Sequence, residues 1–305
     1  MYRCSNAAYQ ANPVFGLLNL NKPAGWTSRD VVNRVERLVG PARAGHAGTL
    51  DPLATGVLVV CVGTATRLIQ HVQRLPKRYV ATFLLGRRSP SDDVELEPEI
   101  IADAPRPSIE EIEQAIPGFI GDLNQTPPIY SAIKVAGQTS YNLARQGESF
   151  SLPPRPVTVY QLSVIRYDYP ELVLDIHCGS GFYVRALGRD LAASLGTGAV
   201  MSGLVRTAIG QLRVEQAVAA EALLETPIAE RLISPRLLFK DEECLFCNEA
   251  ELEELRFGRP VTGDCPGPGD GPWGVIGPDG RLAAMVRLKP DGKLWPKHVF
   301  EHAHC

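Results

Sequence analysis

The sequence predicts an α+β protein: a mixed, mainly antiparallel central sheet with flanking helices, followed by a small C-terminal β module. Two strand-like runs, 156–167 and 171–178, are separated by a short turn, and a helix-like segment follows over about 182–195. This order differs from the regular alternation of strand and helix that builds a parallel sheet. Around residue 240 the composition changes to an acidic run and then to a Pro/Gly-dense stretch, which indicates a separate small unit.

The first third of the chain alternates between strands and helices. Apolar or alternating runs predict strands at 15–20, 57–62 and 78–88. The turn-forming residues 21–25 end the first strand. A helix then begins near Thr27 or Ser28, since either side chain can cap it and the apolar positions after it recur on one face. A second amphipathic stretch reaches Leu75.

The remaining segments set the expected domain boundaries. Residues 89–107 are acidic and contain prolines, which predicts a mobile connector or a small insertion. Ser108 and Glu111 form a capping box for the next helix. We expect a flexible leader over 1–13, a main domain over 14–239 with an insertion at about 89–150, and a β module over 240–305 on a short tether.

Composition places the chain among globular proteins. Of its 305 residues, 45% are hydrophobic and 21% are charged. There is no run of 18 apolar residues and no secretory signal pattern, so we expect no membrane association. The seven cysteines are an odd number without a framework, which is typical of reduced thiols. These features predict a cytoplasmic protein.

The charge is distributed unevenly. The formal net charge is −3, yet residues 1–90 contain 12 Lys and Arg against 3 Asp and Glu. Residues 91–150 contain 3 against 11. Because fields act over roughly 10 Å at moderate salt, local charge matters more than the total. The basic third could bind phosphates, and a solvated basic face is an equally good interpretation of charge alone.

The densest motif is Gly-His-Ala-Gly-Thr-Leu-Asp-Pro-Leu-Ala-Thr-Gly, residues 45–56. It places one carboxylate, Asp51, in a tight loop whose glycines allow another backbone to approach closely. Pro52 fixes the chain direction and restricts the conformation of Asp51. An isolated Asp-Pro pair would indicate an ordinary turn, but the rest of this loop favours a built site.

This loop resembles the signature of the TruB-type tRNA pseudouridine synthases, which are related to the dyskerin-type enzymes. Residues 45–56 match that signature throughout, and the resemblance extends from about Gly16 to Ala208. The further motifs, in order, are Leu20-Asn21-Lys22-Pro23-Ala24-Gly25-Trp26-Thr27-Ser28, Lys77-Arg78-Tyr79, Tyr130-Ser131-Ala132-Ile133-Lys134 and Gly181-Phe182-Tyr183-Val184-Arg185. The resemblance implies the pseudouridine synthase fold, with the catalytic domain at 14–239.

The resemblance implies that the enzyme isomerises a uridine of the tRNA T-loop with Asp51 as the catalytic aspartate. The bond from uracil N1 to ribose C1′ is broken and remade at C5, which needs no cofactor and no metal. Asp51 could add to uracil C6 or attack C1′, and the sequence does not distinguish these routes. Tyr79 corresponds to the tyrosine that stacks on the flipped base. Arg185 corresponds to the arginine that pairs with the aspartate.

Six more positions are expected to bind or shape the substrate site. By the resemblance, His46 packs into the space that the extruded base leaves. Lys22, Arg78 and Lys134 are candidates for phosphate contacts or for shaping the site, with solvated side chains as the alternative. The remaining two positions belong to the predicted uracil pocket and its flank: Leu204 and Tyr183.

The expected partner is the T-arm of tRNA, recognised mainly by its folded shape. The target base must be flipped out of its stack, which costs a few kcal/mol. We expect a monomer with no obligate protein partner. The C-terminal module occupies the place where this family often carries a PUA-type RNA-binding domain, although its acidic run beginning at Asp241 is unusual for an RNA-facing surface.

The alternatives to this interpretation are a non-catalytic RNA-binding protein, a guide-dependent enzyme and a structural zinc site. A non-catalytic RNA-binding protein would not need an ionised carboxylate with an arginine partner, and a guide-dependent enzyme would tend to have a lysine-rich tail, which this chain lacks. Cys244, Cys247 and Cys265, with the late histidines His298, His302 and His304, do not form the two close ligand pairs of a structural zinc site. The sequence therefore favours a stand-alone enzyme without a metal.

Overall fold

A computed structural model describes residues 14–300 except 132, 136, 149, 225, 226 and 268. The predicted leader, 1–13, lies outside the described residues. The helices are α1 (Ser28–Val39), α2 (Ile69–Arg74), α3 (Ile109–Ala115), α4 (Ser140–Arg145), α5 (Val184–Ser194) and α6 (Glu249–Arg256).

The strands divide into a central sheet, a C-terminal sheet and two short hairpins. The strands of the first half are β1 (Gly16–Lys22), β2 (Ala44–His46), β3 (Thr55–Val62), β4 (Lys77–Leu85), β5 (Arg87–Arg88), β6 (Glu99–Ile100), β7 (Gly121–Gln125), β8 (Lys134–Val135) and β9 (Gln138–Thr139). The strands of the second half are β10 (Arg155–Asp168), β11 (Glu171–Cys178), β12 (Ala199–Ile209), β13 (Leu212–Arg213), β14 (Val218–Ala219), β15 (Cys244–Phe246), β16 (Trp273–Ile276), β17 (Leu282–Leu288) and β18 (Leu294–Val299).

The central sheet is mixed and mainly antiparallel, as the sequence predicts. Eight strands lie in the order β14-β1-β3-β12-β4-β11-β10-β7, while β2 pairs with β3 and β13 pairs with β12. Two of the strand pairs, β1 with β14 and β3 with β12, are parallel, and the others are antiparallel. The prediction of an α+β fold with flanking helices is confirmed.

The predicted first helix begins where its cap was expected. The Thr27 side chain accepts from the Asp30 N–H, and the Asp30 carboxylate accepts from the Thr27 N–H, so two free backbone donors are satisfied. The buried face of α1 carries four valines against β1 and β3, and these are Val31, Val32, Val35 and Val39.

Helix α5 packs unusually close to the sheet. A Cβ atom added at Gly188 would lie 2.1 Å from Cε1 of Phe83 on β4, so only glycine allows this approach. Residue Arg185 lies in the first turn of the same helix. The contact between Gly188 and Phe83 therefore sets how far Arg185 stands above the sheet.

The prediction of a mobile connector after β4 is wrong at residues 89–95, which we name the Asp93 loop. Ser91 and Asp93 are buried, with 1% and 0% of their surface exposed. Two arginines of α5 hold the loop: Arg185 donates to the Ser91 carbonyl at 2.9 Å, and Arg189 pairs with Asp92 at 2.9 Å. The loop is acidic because the arginines of α5, one buried and one partly exposed, pair with it.

The C-terminal sheet, in the order β15-β16-β17-β18, shares an apolar core with the main body. Phe300 lies against Phe15, with ring centroids 5.3 Å apart, and Phe239 stacks on His71 of α2 at 4.4 Å. Arg67 also donates to the Val299 carbonyl at 3.0 Å. The predicted small β module is present, and its contacts with Phe15 and Arg67 pack it against the main body, which a tether alone would not do.

Among the residues that the structure describes, no helix is both long enough and apolar enough to span a bilayer.

Candidate active site

A cleft of about 930 Å³ opens beside the 45–56 motif, which we name the Asp51 loop. Five of the nine predicted site residues line it, and these are Asp51, Tyr79, Tyr183, Arg185 and Leu204. Its walls come from the Asp51 loop, α2, β4, the start of α5, β12 and a cover segment, residues 130–147. The fold thus brings distant parts of the chain to one cavity.

The residues before and after Asp51 in the chain, Leu50 and Pro52, are both hydrogen-bonded to the segment that runs from the β1–α1 turn into α1. The Ser28 hydroxyl accepts from the Leu50 N–H at 2.9 Å and donates to the Leu50 carbonyl at 3.2 Å. The Pro52 carbonyl accepts from the Gly25 N–H at 2.8 Å. Asp51 is therefore presented by a rigid segment that is bound to the β1–α1 turn.

Two glycines of the Asp51 loop are required by its backbone. Gly48 and Gly56 have φ values of +121° and +98°, which side chains disfavour. A Cβ atom at Gly56 would also lie 2.3 Å from the carbonyl oxygen of Arg206 on β12. These constraints explain the glycine density that made the motif conspicuous in the sequence.

Asp51 and Arg185 meet in the cleft through two contacts. Arg185 Nε lies 3.2 Å from Asp51 Oδ2, and Arg185 Nη2 lies 3.4 Å from Asp51 Oδ1. Burial raises the pKa of the Asp51 carboxyl, and the positive charge of Arg185 opposes this rise. The two-point contact fixes the orientation of the carboxylate as well as its charge.

A second carboxylate, Asp93, stands on the other side of Arg185. Arg185 Nη1 lies 3.3 Å from Asp93 Oδ2, and Asp93 Oδ1 accepts from the Ser91 hydroxyl at 2.6 Å. The guanidinium also donates to the Tyr130 carbonyl at 2.9 Å. Arg185 is only 7% exposed, so an arginine without these partners would be costly at this position.

Tyr79 lies on β4 directly opposite Arg206 of β12. Burial raises the pKa of the Tyr79 phenol, and the nearby positive charge of Arg206 opposes this rise. Tyr79 is 8% exposed, and Leu204 lies two residues before Arg206 on the same strand. An aromatic ring and an apolar side chain thus form the part of the cleft that suits a planar base.

Lys22 is buried and does not reach the cleft. Its ammonium donates to the carbonyls of Pro23, Trp26 and Pro52 at 2.8, 2.6 and 3.2 Å. Burial lowers its pKa to about 8. Of the alternatives predicted for Lys22, shaping of the site fits these contacts, because the ammonium ties the β1–α1 turn to the Asp51 loop. A phosphate contact and a solvated side chain do not fit a fully buried lysine.

The other three predicted side chains stand outside the cleft lining. His46 is half-buried on β2 with Nδ1 unpartnered, and burial lowers its pKa. Arg78 follows the alternation of β4 to the sheet face opposite Tyr79 and donates to Gln161 at 3.1 Å. Lys134 is exposed on β8, at the start of a hairpin in the cover segment. Arg78 therefore lies outside the cleft lining, and its predicted phosphate contact stays a prediction.

Tyr183 is positioned by β7, a strand from the predicted insertion. The Gln125 side chain donates to the Tyr183 carbonyl at 3.0 Å and accepts from its N–H at 2.8 Å. This double contact fixes the residue that precedes α5. The start of α5 and therefore Arg185 are held by a strand of the segment that was predicted as an insertion in the 14–239 domain.

Four cleft residues were missed by the sequence analysis. Tyr130 and Tyr141 of the cover segment pack edge to face with centroids 5.8 Å apart, and Tyr141 donates to Glu95 at 3.1 Å. Lys77 faces Arg206, and burial lowers its pKa to about 8. A signal existed for Lys77 and Tyr130, which lie within motifs already noted, but none marked Arg206 or Tyr141.

Within the described part of the chain, no three His, Cys, Asp or Glu side chains are clustered so that they could hold a metal ion. Two of the late histidines that the sequence analysis considered, His302 and His304, lie outside the described residues.

The arrangement offers one oriented carboxylate beside an aromatic ring in a cleft with basic walls. Such a group can act as a nucleophile toward a planar, electrophilic ring or toward a sugar carbon. A base stacked on Tyr79 would lie next to the Asp51 carboxylate. This chemistry needs a substrate whose reacting atoms are exposed, as in a flipped nucleotide.

Comparison with known proteins gives consistent results. The family model described as TruB family pseudouridylate synthase (N terminal domain) matches residues 36–184. The tRNA pseudouridine synthase B of Parasynechococcus marenigrum (strain WH8102) is 39% identical over 292 residues, covering 94% of this chain and 98% of that protein. The protein of the same name from Thermobifida fusca (strain YX) is 39% identical over 299 residues, covering 93% and 98%.

Solved structures share the fold. The Cbf5 chain of a Cbf5-Nop10-Gar1 complex superposes with a TM-score of 0.71 at 21% identity, covering 95% of this chain and 85% of that one. A chain of an H/ACA RNP bound to a substrate RNA containing 2′-deoxyuridine superposes with a TM-score of 0.69 at 20% identity, covering 95% and 86%.

Proposed function

Because this chain belongs to the TruB family and is a pseudouridine synthase, an isomerase of uridine in RNA, we propose that Asp51 is its nucleophile and a T-loop uridine of tRNA its target. The observation that carries the proposal is the contact between Asp51 and Arg185 inside the cleft, at 3.2 and 3.4 Å. A carboxylate that is half-buried, oriented and paired with one guanidinium is suited to attack.

The reaction rearranges bonds within one nucleotide. The bond between N1 of uracil and C1′ of ribose breaks, the base turns, and a bond between C5 and C1′ forms. The proton on C5 is lost and N1 gains a proton, so the isomerisation needs no oxidant or reductant. Asp51 can start this sequence either at C6 of the base or at C1′ of the sugar.

The other cleft residues have roles that follow from their positions. Tyr79 provides a π-face for the flipped uracil, and stacking of this kind is worth about 1–3 kcal/mol per base. Leu204 closes the apolar side of the same pocket. Arg185 keeps the attacking carboxylate ionised and turned toward the base, and the Asp93 loop keeps Arg185 in place.

Transfer RNA is proposed as the substrate class from the names of the curated relatives and from the charge of the cleft wall. Arg74 is exposed on the α2 side of the cleft. Cationic groups at that wall can neutralise backbone phosphates and offset the cost of extruding the base. The T-loop is the site that the family resemblance implies.

We further propose that the chain acts as a monomer without a guide RNA or an obligate protein partner. The proposed catalytic domain is 14–239. The comparison structures Cbf5-Nop10-Gar1 and the H/ACA RNP are assemblies, and that property belongs to those proteins.

The substrate assignment is tested with tRNA transcripts that carry tritium at C5 of uridine. The purified chain should release one equivalent of tritium from an unmodified transcript. A transcript in which the T-loop target uridine is replaced by cytidine should release none, while a change of a uridine in the anticodon loop should have no effect. Release from the T-loop variant at the full rate would contradict the T-loop assignment.

A further inference from the structure

Arg206 is a buried cation that the reaction sequence above leaves unused. It is 2% exposed and is among the largest fully buried side chains of the described residues. It also borders the cleft, yet its charge does not pair with Asp51, which Arg185 contacts. A buried charge at a site is costly unless its hydrogen bonds are used, so its contacts indicate its purpose.

The guanidinium of Arg206 donates to three backbone carbonyls, two in the Asp51 loop and one directly after it. Nε donates to the Val57 carbonyl at 2.7 Å, Nη2 donates to the Gly48 carbonyl at 3.1 Å, and Nη1 donates to the Thr49 carbonyl at 3.4 Å. These acceptors lie on both sides of Asp51 in the chain. One planar group therefore joins the beginning and the end of the loop that presents the nucleophile.

The backbone of Arg206 is bound to the same loop. Strands β3 and β12 are parallel neighbours, with Arg206 beside Gly56. The close approach of the two backbones is possible because Gly56 has no Cβ, which would lie 2.3 Å from the Arg206 carbonyl oxygen. The position of the guanidinium relative to the Asp51 loop is thus fixed from two directions.

On its other side, Arg206 faces Tyr79. The two residues are cross-strand partners between β12 and β4, and both line the cleft. The positive charge of Arg206 lowers the pKa of the Tyr79 phenol, and the negative charge of Asp51 raises it. The Tyr79 phenol is therefore influenced by two groups of opposite charge.

We propose that Arg206 is a positioning residue that sets the Tyr79 hydroxyl relative to the Asp51 carboxylate during the reaction. It acts through Tyr79 and through the loop carbonyls, without touching the base. This inference rests on the proposed function and deepens it, because it makes the phenol hydroxyl, and not only the aromatic ring, part of the machinery.

The test is a double-mutant cycle measured by single-turnover kinetics at saturating enzyme. Arg206→Lys keeps the charge but cannot reach three carbonyls and the phenol together. Tyr79→Phe keeps the ring and removes only the hydroxyl. Arg34→Lys is the matched control, because Arg34 is a half-buried arginine of α1 outside the cleft lining. It donates to one distant carbonyl, that of Glu221, at 2.8 Å.

We expect each of the two site variants to lower the rate constant by a factor on the order of 10², the loss typical of a misplaced catalytic geometry. The affinity for tRNA, measured by filter binding, should change less than about threefold. The rate constant of the double variant should lie within about threefold of that of the slower single variant. Arg34→Lys should match the unsubstituted protein.

Several results would overturn the inference. Multiplying losses in the double variant would mean that Arg206 does not act through the hydroxyl, and a loss of affinity at unchanged rate would make it a binding residue. A Tyr79→Phe variant that turns over at the full rate would remove the hydroxyl from the machinery. The proposed function itself fails differently, since the unsubstituted protein would then form no pseudouridine in tRNA.

Folding of the variants is checked by near-UV circular dichroism and thermal unfolding. If Arg206→Lys does not fold, guanidinium ¹⁵N NMR compares the unsubstituted protein with Tyr79→Phe. The inference predicts a shift of one buried, slowly exchanging arginine signal when the hydroxyl is removed. Identical arginine spectra would contradict it.

Discussion

The carboxylate of Asp51 and the guanidinium of Arg185 are held side by side, with Nε 3.2 Å from Oδ2 and Nη2 3.4 Å from Oδ1. The two residues are 134 positions apart in the chain. The Asp51 loop brings one partner and the first turn of α5 brings the other. Each is fixed by its own set of contacts, so the geometry of the pair does not depend on substrate.

Replacement of Arg185 by methionine should abolish most turnover while tRNA binding persists. The guanidinium orients and ionises Asp51, whereas phosphate contacts dominate affinity. We expect a rate loss of at least about 10²-fold in single-turnover assays and a dissociation constant within about threefold. Arg166→Met is the control, because Arg166 is an exposed arginine of β10 that pairs with Glu171 and lies outside the cleft lining. Equal losses of rate and affinity would make Arg185 a binding residue.

Replacement of Asp93 by asparagine should slow the reaction although this side chain is fully buried. Asp93 contacts Nη1 of Arg185 at 3.3 Å, so its loss leaves Arg185 less firmly placed. The rate constant of Asp93→Asn should fall in single-turnover assays. The double variant of Asp93→Asn with Arg185→Met should have the same rate constant as Arg185→Met alone, because Asp93 acts through Arg185. A normal rate in the folded Asp93→Asn protein would remove the second carboxylate from the account.

The pH profile should have an acid limb that belongs to Asp51. Burial raises the pKa of this carboxyl above its ordinary value of 3.8, and only the ionised form attacks. Activity therefore rises with pH through that raised value and is lost below it. Because Arg185 opposes the rise, Arg185→Met should move the limb to higher pH. Rates from pH 4.5 to 8, with circular dichroism as a check of folding, measure both positions.

The raised pKa of the Asp51 carboxyl also affects the stability of the folded protein. A carboxyl whose pKa is higher in the folded chain than in the unfolded chain makes folding less favourable when it is ionised. The penalty is present above the raised pKa and disappears as the pH falls through it. Asp51→Asn should therefore unfold at a higher temperature than the unsubstituted protein near pH 7.5, and the difference should shrink toward pH 4.5. A lower unfolding temperature at pH 7.5 would contradict this sign.

Replacement of Gly188 by alanine should destabilise the protein although alanine favours helices. The new methyl group would lie 2.1 Å from the Phe83 ring, and overpacking of this kind costs about 1–3 kcal/mol. Since α5 carries Arg185, activity should fall too. Gly118→Ala is the control, because nothing lies within 4 Å of its Cβ position. Thermal unfolding of the two variants should differ, and equal midpoints would show that α5 can shift freely.

Much of the site could be predicted because its residues lie in dense local motifs. The glycines of the Asp51 loop, the Lys-Arg-Tyr run and the Gly-Phe-Tyr-Val-Arg run all pointed to the residues that the cleft brings together. Strand alternation alone also separates Arg78 from Tyr79, since neighbouring residues of a strand point to opposite faces.

The rest depends on contacts between distant segments. The Asp93 loop has the acidic, proline-containing composition of a solvated linker, and only the arginines of α5 make it a buried support. Lys22 likewise resembles a surface cation until three carbonyls are seen around its ammonium. Arg206 belongs to no motif, and its role follows only from the pairing of β12 with β3 and β4.

The most direct measurement is tritium release from tRNA labelled at C5 of uridine, with Asp51→Asn compared with the unsubstituted protein. Asparagine has nearly the same shape but no negative charge, so tRNA binding by filter assay should be retained. The account predicts one equivalent of tritium from the unsubstituted protein and essentially none from Asp51→Asn. Normal release by a folded Asp51→Asn protein would contradict the claim that this carboxylate starts the reaction.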